Sequence, residues 1–130
     1  MDLDFDYIKS FLIEELKAEL IYLFGSYAGG KARADSDLDL AFLTSEEIDD
    51  YQRFLTAQKL ASNLNIDVDL IDLSKASTVF KAQIIQGQLL YAQNRQQKQE
   101  FELLVLKKYA RLNEERKEII EKIERGAENG

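Results

Sequence analysis

The 130-residue chain has neither cysteine nor histidine. Without cysteine there is no disulfide framework, no thiol nucleophile and no thiolate zinc site. Without histidine, imidazole bases, Ser-His-Asp triads and His-ligated metals are excluded. Any chemistry must rest on carboxylates, hydroxyls, lysines, arginines, backbone amides or a bound ion. A basic excess is missing too: 24 acidic side chains against 17 basic ones give a net charge of −7. That balance makes direct nucleic-acid binding an unfavoured function. The acidic start, Met1-Asp2-Leu3-Asp4-Phe5-Asp6, lacks the basic and apolar regions of a signal peptide. No apolar run approaches the roughly 18–20 residues of a membrane span. The expectation is a soluble, cytoplasmic protein with no membrane partner.

Apolar residues make up 45% of the chain, enough to build the core of one domain. Charge divides it unevenly. Residues 1–95 hold 16 acidic and 9 basic side chains, whereas residues 96–130 hold 8 of each. Every aspartate lies at or before Asp72, and the tail uses only glutamate. Aspartate suits caps, turns and sites, and glutamate suits helix interiors. A site-bearing body (1–95) followed by a helical extension (96–130) is expected within a single domain overall.

Periodicity supplies the elements. A first helix is expected from about Asp6 to Ala18, and Leu20–Phe24 reads as a buried strand stopped by Gly25. A loop with a short helical turn follows to Ser36. Leu38–Leu43 reads as a second strand, and Thr44 or Ser45 as the cap of a helix reaching about Leu64. Val68–Leu73 is expected as a third strand. Ser77 is the expected cap of a helix ending at Gly87, and Leu89–Tyr91 a short last strand. From Gln97 to about Arg125 no glycine or proline interrupts a long helix. Phe101, Leu104, Val105, Tyr109 and Leu112 form its body-facing stripe, and Ile119, Ile120 and Ile123 a candidate partner surface. The fold class is α/β (α+β), a small mixed sheet flanked by helices.

The segment from Leu23 to Leu40 carries the chemistry. Gly25-Ser26 closes a strand and opens a turn, so backbone N–H groups and the Ser26 hydroxyl are free to meet phosphate. Asp37 and Asp39 follow, one residue apart on the second strand, and a period of two puts them on one face. Such carboxylates repel each other unless a cation lies between them, and hard oxygen ligands suit Mg²⁺ or Mn²⁺. On the third strand Asp67 and Asp69 share a face while Asp72 points the other way. Asp69, mid-strand between Val68 and Leu70, is the candidate third ligand or general base, since a buried carboxylate there needs a partner or an ion. Asp67 at the strand edge is the reserve. Each element alone is common; strand, Gly-Ser, Asp-x-Asp strand and an Asp-bearing third strand together are not.

Gly25-Ser26, ten residues, then Asp37-Leu38-Asp39 resembles the signature of the DNA-polymerase-β-type nucleotidyltransferase superfamily. The fuller string, Phe24–Ala28 through Gly30, Arg33 and Ser36–Leu40, is similar to its minimal nucleotidyltransferases. The likeness continues through Ile66–Leu73, Ser77-Thr78-Val79 and the Gly87 turn. In the tail, Glu115-Arg116-Lys117-Glu118-Ile119-Ile120 resembles the MntA-type antitoxins. The resemblance implies the nucleotidyltransferase fold and an antitoxin paired with a HEPN-domain ribonuclease toxin, in a hetero-oligomer. Its activity would be transfer of AMP from ATP to a tyrosine of that toxin, with pyrophosphate leaving. It also implies roles: Gly25 and Ser26 hold the ATP phosphates, Asp37 and Asp39 bind two Mg²⁺ ions, and Asp69 completes the metal site and helps deprotonate the acceptor. Many relatives carry a polar or basic residue where Gly29 stands, so any contact it makes is missing here. Lys31 and Arg33 are nearby candidates to stabilise pyrophosphate, or else solvated loop charges. Two alternatives stay open: a small-molecule nucleotidyltransferase of the aminoglycoside type, which usually needs a second domain, and a non-catalytic module that inhibits by contact alone.

Overall fold

The computed structural model describes residues 3–33 and 35–129, with side chains through residue 126. Ala34 in the loop motif and the Met1-Asp2 start lie outside the described residues. Among the described residues five helices and four strands follow in the order α1 (Phe5–Leu16), β1 (Leu20–Phe24), α2 (Gly25–Ala28), β2 (Leu38–Leu43), α3 (Asp50–Leu64), β3 (Val68–Asp72), α4 (Thr78–Ile84), β4 (Gln88–Ala92) and α5 (Arg95–Asn129). Leu73–Lys75 form a 3₁₀ turn. The strands make one mixed sheet in the order β3-β2-β1-β4. β1 runs antiparallel to β2 and β4, and β2 pairs parallel with β3 through the α3 crossover.

Alternation along the strands splits the core into two layers. Ile21, Leu23, Leu38, Leu40, Phe42 and Leu70 pack against α1 and α3 on one face. Leu20, Tyr22, Ala41 and Ile71 pack with Ile84, Phe80 and Phe101 of α4 and α5 on the other. Both faces are covered, so the inner strands β1 and β2 read as nearly continuous apolar runs.

Side-chain caps set the helix starts. Asp4 accepts from Tyr7 N at 3.0 Å, and Ser77, the expected cap, accepts from Phe80 N at 3.1 Å. For α3 the cap is Asp49, which accepts from Gln52 N at 2.7 Å, and not Thr44 or Ser45. Those two side chains are spent elsewhere. Thr44 Oγ1 donates to the Lys17 carbonyl at 3.0 Å, and both the N–H and the hydroxyl of Ser45 donate to Glu19. Lys17 and Asn65 adopt left-handed backbone (φ 54° and 56°), which stops α1 at Leu16 and α3 at Leu64.

Glu19 ties three elements together at the end of the sheet remote from Gly25. Its carboxylate accepts from Ser45 and, at 2.6 Å, from Gln97 Nε2 of α5. Tyr22, fully buried on β1, donates to Glu102 of α5 at 3.1 Å. The N-terminal turns of α5 are thereby docked on the sheet through Phe101 and Val105. Leu104, only about 60° around the helix from Phe101, still does not belong to this face: it is half exposed.

The hydrogen bonds from Ser45 and Gln97 hold the Glu19 carboxyl below its ordinary value of 4.5. A carboxyl depressed on folding contributes stability above its unfolded pKa and loses it as pH falls through the lower folded value. Glu19→Gln is therefore expected to cost most stability at neutral pH, with the gap to wild type closing below about pH 4 in pH-stepped urea unfolding. A second variant probes packing. A Cβ on Gly87 would collide with the Leu23 carbonyl oxygen, so Gly87→Ala is expected to lose about 1–3 kcal/mol in the same assay.

Candidate functional site

β1 delivers its chain to the Gly25 turn at the same sheet end where β2 and β3 begin. In the pairing register Phe24 lies opposite Asp39, and Asp39 lies beside Asp69. Asp39 and Asp69 alternate with Leu38, Leu40 and Leu70, so both carboxylates stand on the α4 face of the sheet. β2 starts at Leu38, which leaves Asp37 one residue ahead of the strand. Asp72 points to the opposite face, is buried, and accepts from Ser74 N at 3.0 Å as the cap of the 3₁₀ turn.

Gly25 is required twice over. Its φ of +71° is open to glycine, and a Cβ there would run into the Asp39 carboxylate. The turn therefore rests its backbone directly against the central aspartate. α2 follows at once, with Ser26 exposed and the Lys31 N–H bonded to the Ser26 carbonyl at 2.9 Å. The loop then carries Lys31 and Arg33 into solvent, and neither makes an ion pair among the described residues. Arg33 and Ser36 close a small turn: Arg33 N donates to Ser36 Oγ at 2.8 Å and Ser36 N donates to the Arg33 carbonyl at 3.0 Å. Gly29 lies at the end of α2, where added bulk meets only backbone oxygens near 4 Å.

Electrostatics mark Asp39 as the strained member. Burial, then the neighbouring charges of Asp69 and Asp37, push its carboxyl above the ordinary range. Asp37 and Asp69 themselves are exposed. The premise that Asp69 is buried does not hold, because β3 is an edge strand and its start opens to solvent. Among the described residues no three acidic groups converge into a closed cation cage. An open row of carboxylates still fits a divalent cation that takes one or two protein carboxylates and completes its shell with phosphate oxygens and water. Asp67, the reserve candidate, lies one residue before β3. It lines a separate polar cleft of about 430 Å³ with Asp35, Asp37, Gln58 and Asn65 at the end of α3.

A second cavity, about 440 Å³, opens on the other side of Asp69 along the outer edge of β3. Arg53, Lys75 and Phe80 line it, and none of them stands out in the sequence. They come from α3, the 3₁₀ turn and α4, and only the tertiary fold assembles them. Phe80 also packs edge-on against Phe24 (ring centroids 5.7 Å apart), linking this cavity to the residue before Gly25.

Residues 6–96 match the family model described as polymerase beta, nucleotidyltransferase. The chain is similar to the protein adenylyltransferase MntA of Shewanella oneidensis, at 43% identity over 108 residues, 82% of this chain and 77% of that one. Its fold is like that of a chain in a toxin–antitoxin crystal structure with AMP-PNP, with a TM-score of 0.84 and 38% identity, covering 93% of this chain and 98% of that one. A further likeness is to a chain of the tri-AMPylated Shewanella oneidensis HEPN toxin in complex with MNT antitoxin, with a TM-score of 0.76, 36% identity and coverage of 92% and 94%.

Raised proton affinity has a consequence for the fold. A carboxyl whose pKa rises on folding favours the native state at low pH and opposes it once ionised. Asp39→Asn is expected to raise the melting temperature of the metal-free protein at pH 7 and to leave it unchanged near pH 3. Millimolar Mg²⁺ is expected to raise the wild-type melting temperature more than that of the variant. Scanning calorimetry at the two pH values, with and without Mg²⁺, checks both.

Proposed function

The chain belongs to the polymerase-β-type nucleotidyltransferase family, and from that membership we propose that it is a Mg²⁺-dependent protein adenylyltransferase serving as a cytoplasmic antitoxin. Its acceptor is a tyrosine of a cognate HEPN ribonuclease toxin. The observation that carries this reading is the row formed by the Gly25 turn, Asp37 with Asp39, and Asp69 along one end of the sheet. That row matches what nucleotidyl transfer needs: a phosphate seat, a central carboxylate pair to hold cations and a proton acceptor, in that order.

Each residue then has a task. The Gly25 backbone and the Ser26 hydroxyl seat the ATP phosphates against β2. Asp37, Asp39 and Asp69 are the ligands for two Mg²⁺ ions, with Mn²⁺ able to substitute. When bound, these cations neutralise the phosphate oxygens and lower the proton affinity of the attacking hydroxyl. Asp69, exposed at the strand edge, takes the hydroxyl proton. The tyrosine oxygen bonds to the α-phosphorus as the bond to the bridging oxygen breaks, and pyrophosphate leaves past Lys31 and Arg33. Positioning and charge account for most of the rate, because little covalent chemistry falls to the protein.

We assign catalysis to residues 1–95 and partner contact to the 96–130 extension. On α5 the stripe that runs from buried Val105 through half-buried Tyr109 and Leu112 continues at Ile119 and Ile123. The last two are 57% and 66% exposed. Apolar residues on the line of a packed seam, beyond the body that covers it, suit a protein partner.

Two outcomes are expected. Incubated with ATP, Mg²⁺ and a cognate HEPN-domain protein, the chain adds one or more AMP units to that protein, read by intact-mass spectrometry. Asp37→Asn or Asp39→Asn slows this by about 10³-fold or more with the fold retained. Full activity in both variants would refute the metal-site assignment. Ile119→Asp with Ile123→Asp is expected to weaken the complex at least about tenfold by calorimetry while ATP binding is kept.

A further inference from the structure

The cavity beyond Asp69 holds more charge than its own contacts use. Lys75 donates to the Ile48 carbonyl at 2.8 Å and pairs with Asp50 at 3.4 Å. Of the lining charges that pair with no opposite charge among the described residues, Asp72 is satisfied by Ser74, which leaves Asp69, exposed, and Arg53, half-buried. Arg53 is held in place by a hydrogen bond from Nη1 to the Leu70 carbonyl at 3.0 Å, on the outer edge of β3. That bond uses one of five guanidinium donors, so most of the fork is left for a ligand. Besides buried Leu70 and the exposed Ser77, the rest of the lining is Ile71, Ala76 and Phe80, apolar and partly covered.

In-line displacement at phosphorus puts the entering oxygen opposite the leaving one. The strand order fixes what that means here. Gly25 and Ser26 end β1, Asp37 and Asp39 sit at the start of β2, and Asp69 sits on β3, the last strand. With pyrophosphate leaving on the β1 side, the acceptor oxygen enters over β3, and the space beyond β3 is this cavity.

We infer that the cavity between β3, α3 and α4 is the acceptor subsite and takes an aromatic hydroxyl side chain of the tyrosine class. Arg53 is its positioning residue. The inference rests on the nucleotidyltransferase reading of the Asp37–Asp39–Asp69 row. The ring lies against Ile71 and Phe80, where an aromatic buries more surface than a serine or threonine side chain offers. Asp69 accepts the phenol proton. Arg53 faces the oxygen from the strand edge and stabilises the negative charge it carries before the bond to phosphorus forms. A desolvated guanidinium beside a phenol favours its ionised form.

The test separates the acceptor side from the nucleotide side. Ala76→Trp fills the cavity from the end of β3 away from Asp37 and Asp39. Arg53→Gln removes the charge but keeps a donor for the Leu70 carbonyl, and Arg53→Lys keeps the charge. With the full chain, ATP, Mg²⁺ and the HEPN protein, Ala76→Trp and Arg53→Gln are each expected to lower kcat/KM for the acceptor about 10- to 100-fold. The affinity for Mg-ATP, measured by calorimetry, stays within twofold. In Arg53→Gln the alkaline rise of the rate is expected to move to higher pH, and Arg53→Lys restores part of both. Unchanged acceptor kinetics in Ala76→Trp and Arg53→Gln would overturn the inference.

A second readout does not depend on transfer. N-acetyl-tyrosinamide is expected to shift the backbone amide resonances of Ile71 and Phe80 in the wild type and not in Ala76→Trp, with N-acetyl-serinamide producing no shift. Absence of those shifts overturns the subsite even where AMP transfer is observed. Their presence without any transfer keeps the subsite and overturns the adenylyltransferase reading.

Discussion

The close approach of Gly25 to Asp39 is the constraint on which the rest of the site depends. β1 and β2 are antiparallel, so the end of one lies beside the beginning of the other, and the chain must turn away in a single residue. Only a residue without a Cβ both adopts the left-handed conformation and leaves room for the carboxylate. The Gly25 backbone and the Asp39 carboxylate, proposed as phosphate seat and metal ligand, are thus brought together by one steric fact. Placing Asp69 needs nothing further, because parallel pairing sets it in register with Asp39.

That arrangement is unfavourable in isolation. Three like charges share one sheet end and the middle one is partly desolvated, so the protein holds a site that works against its own stability until positive charge arrives. The two core layers and the Glu19 and Tyr22 ties at the remote end offset this cost. The division is spatial: the network around Glu19 fastens the sheet and α5 at one end, and the other end stays open for substrates. With no imidazole available, the proposed proton acceptor is a carboxylate at a solvent-exposed strand edge.

Much of this was legible in the sequence. The strands, the Ser77 cap, the Gly25 turn and the opposite face of Asp72 all follow from short-range rules of alternation and capping, whereas Asp37 lies one residue ahead of β2, outside the alternation expected to pair it with Asp39. The misreadings have a common origin in long-range contacts. Thr44 and Ser45 have the chemistry of a helix cap, but Lys17 and Glu19, more than twenty residues earlier, engage them first. Asp69 sits between apolar neighbours, which suggests burial, yet sheet order makes β3 an edge. Leu104 fits a helical spacing that the true docking direction of α5 rejects. Arg53 and Phe80 gave no signal, since nothing local distinguishes an arginine on one helix and a phenylalanine on another until the sheet places them on either side of one cavity.

α5 carries a further implication for how tightly a partner is held. At about 1.5 Å per residue its 35 residues span roughly 50 Å. Only its first turns lean on the sheet, so amide protection should decline steadily along its length and reach little more than that of an isolated helix near Gly126. A protein that clasps the outer turns must supply the free energy to hold them helical. Affinity then becomes adjustable at positions that touch nothing: a better helix former in place of Gly126 would tighten the complex by preorganisation alone. Selection can thus tune how long the two chains stay together without altering a single contact or the chemistry at the far end of the sheet.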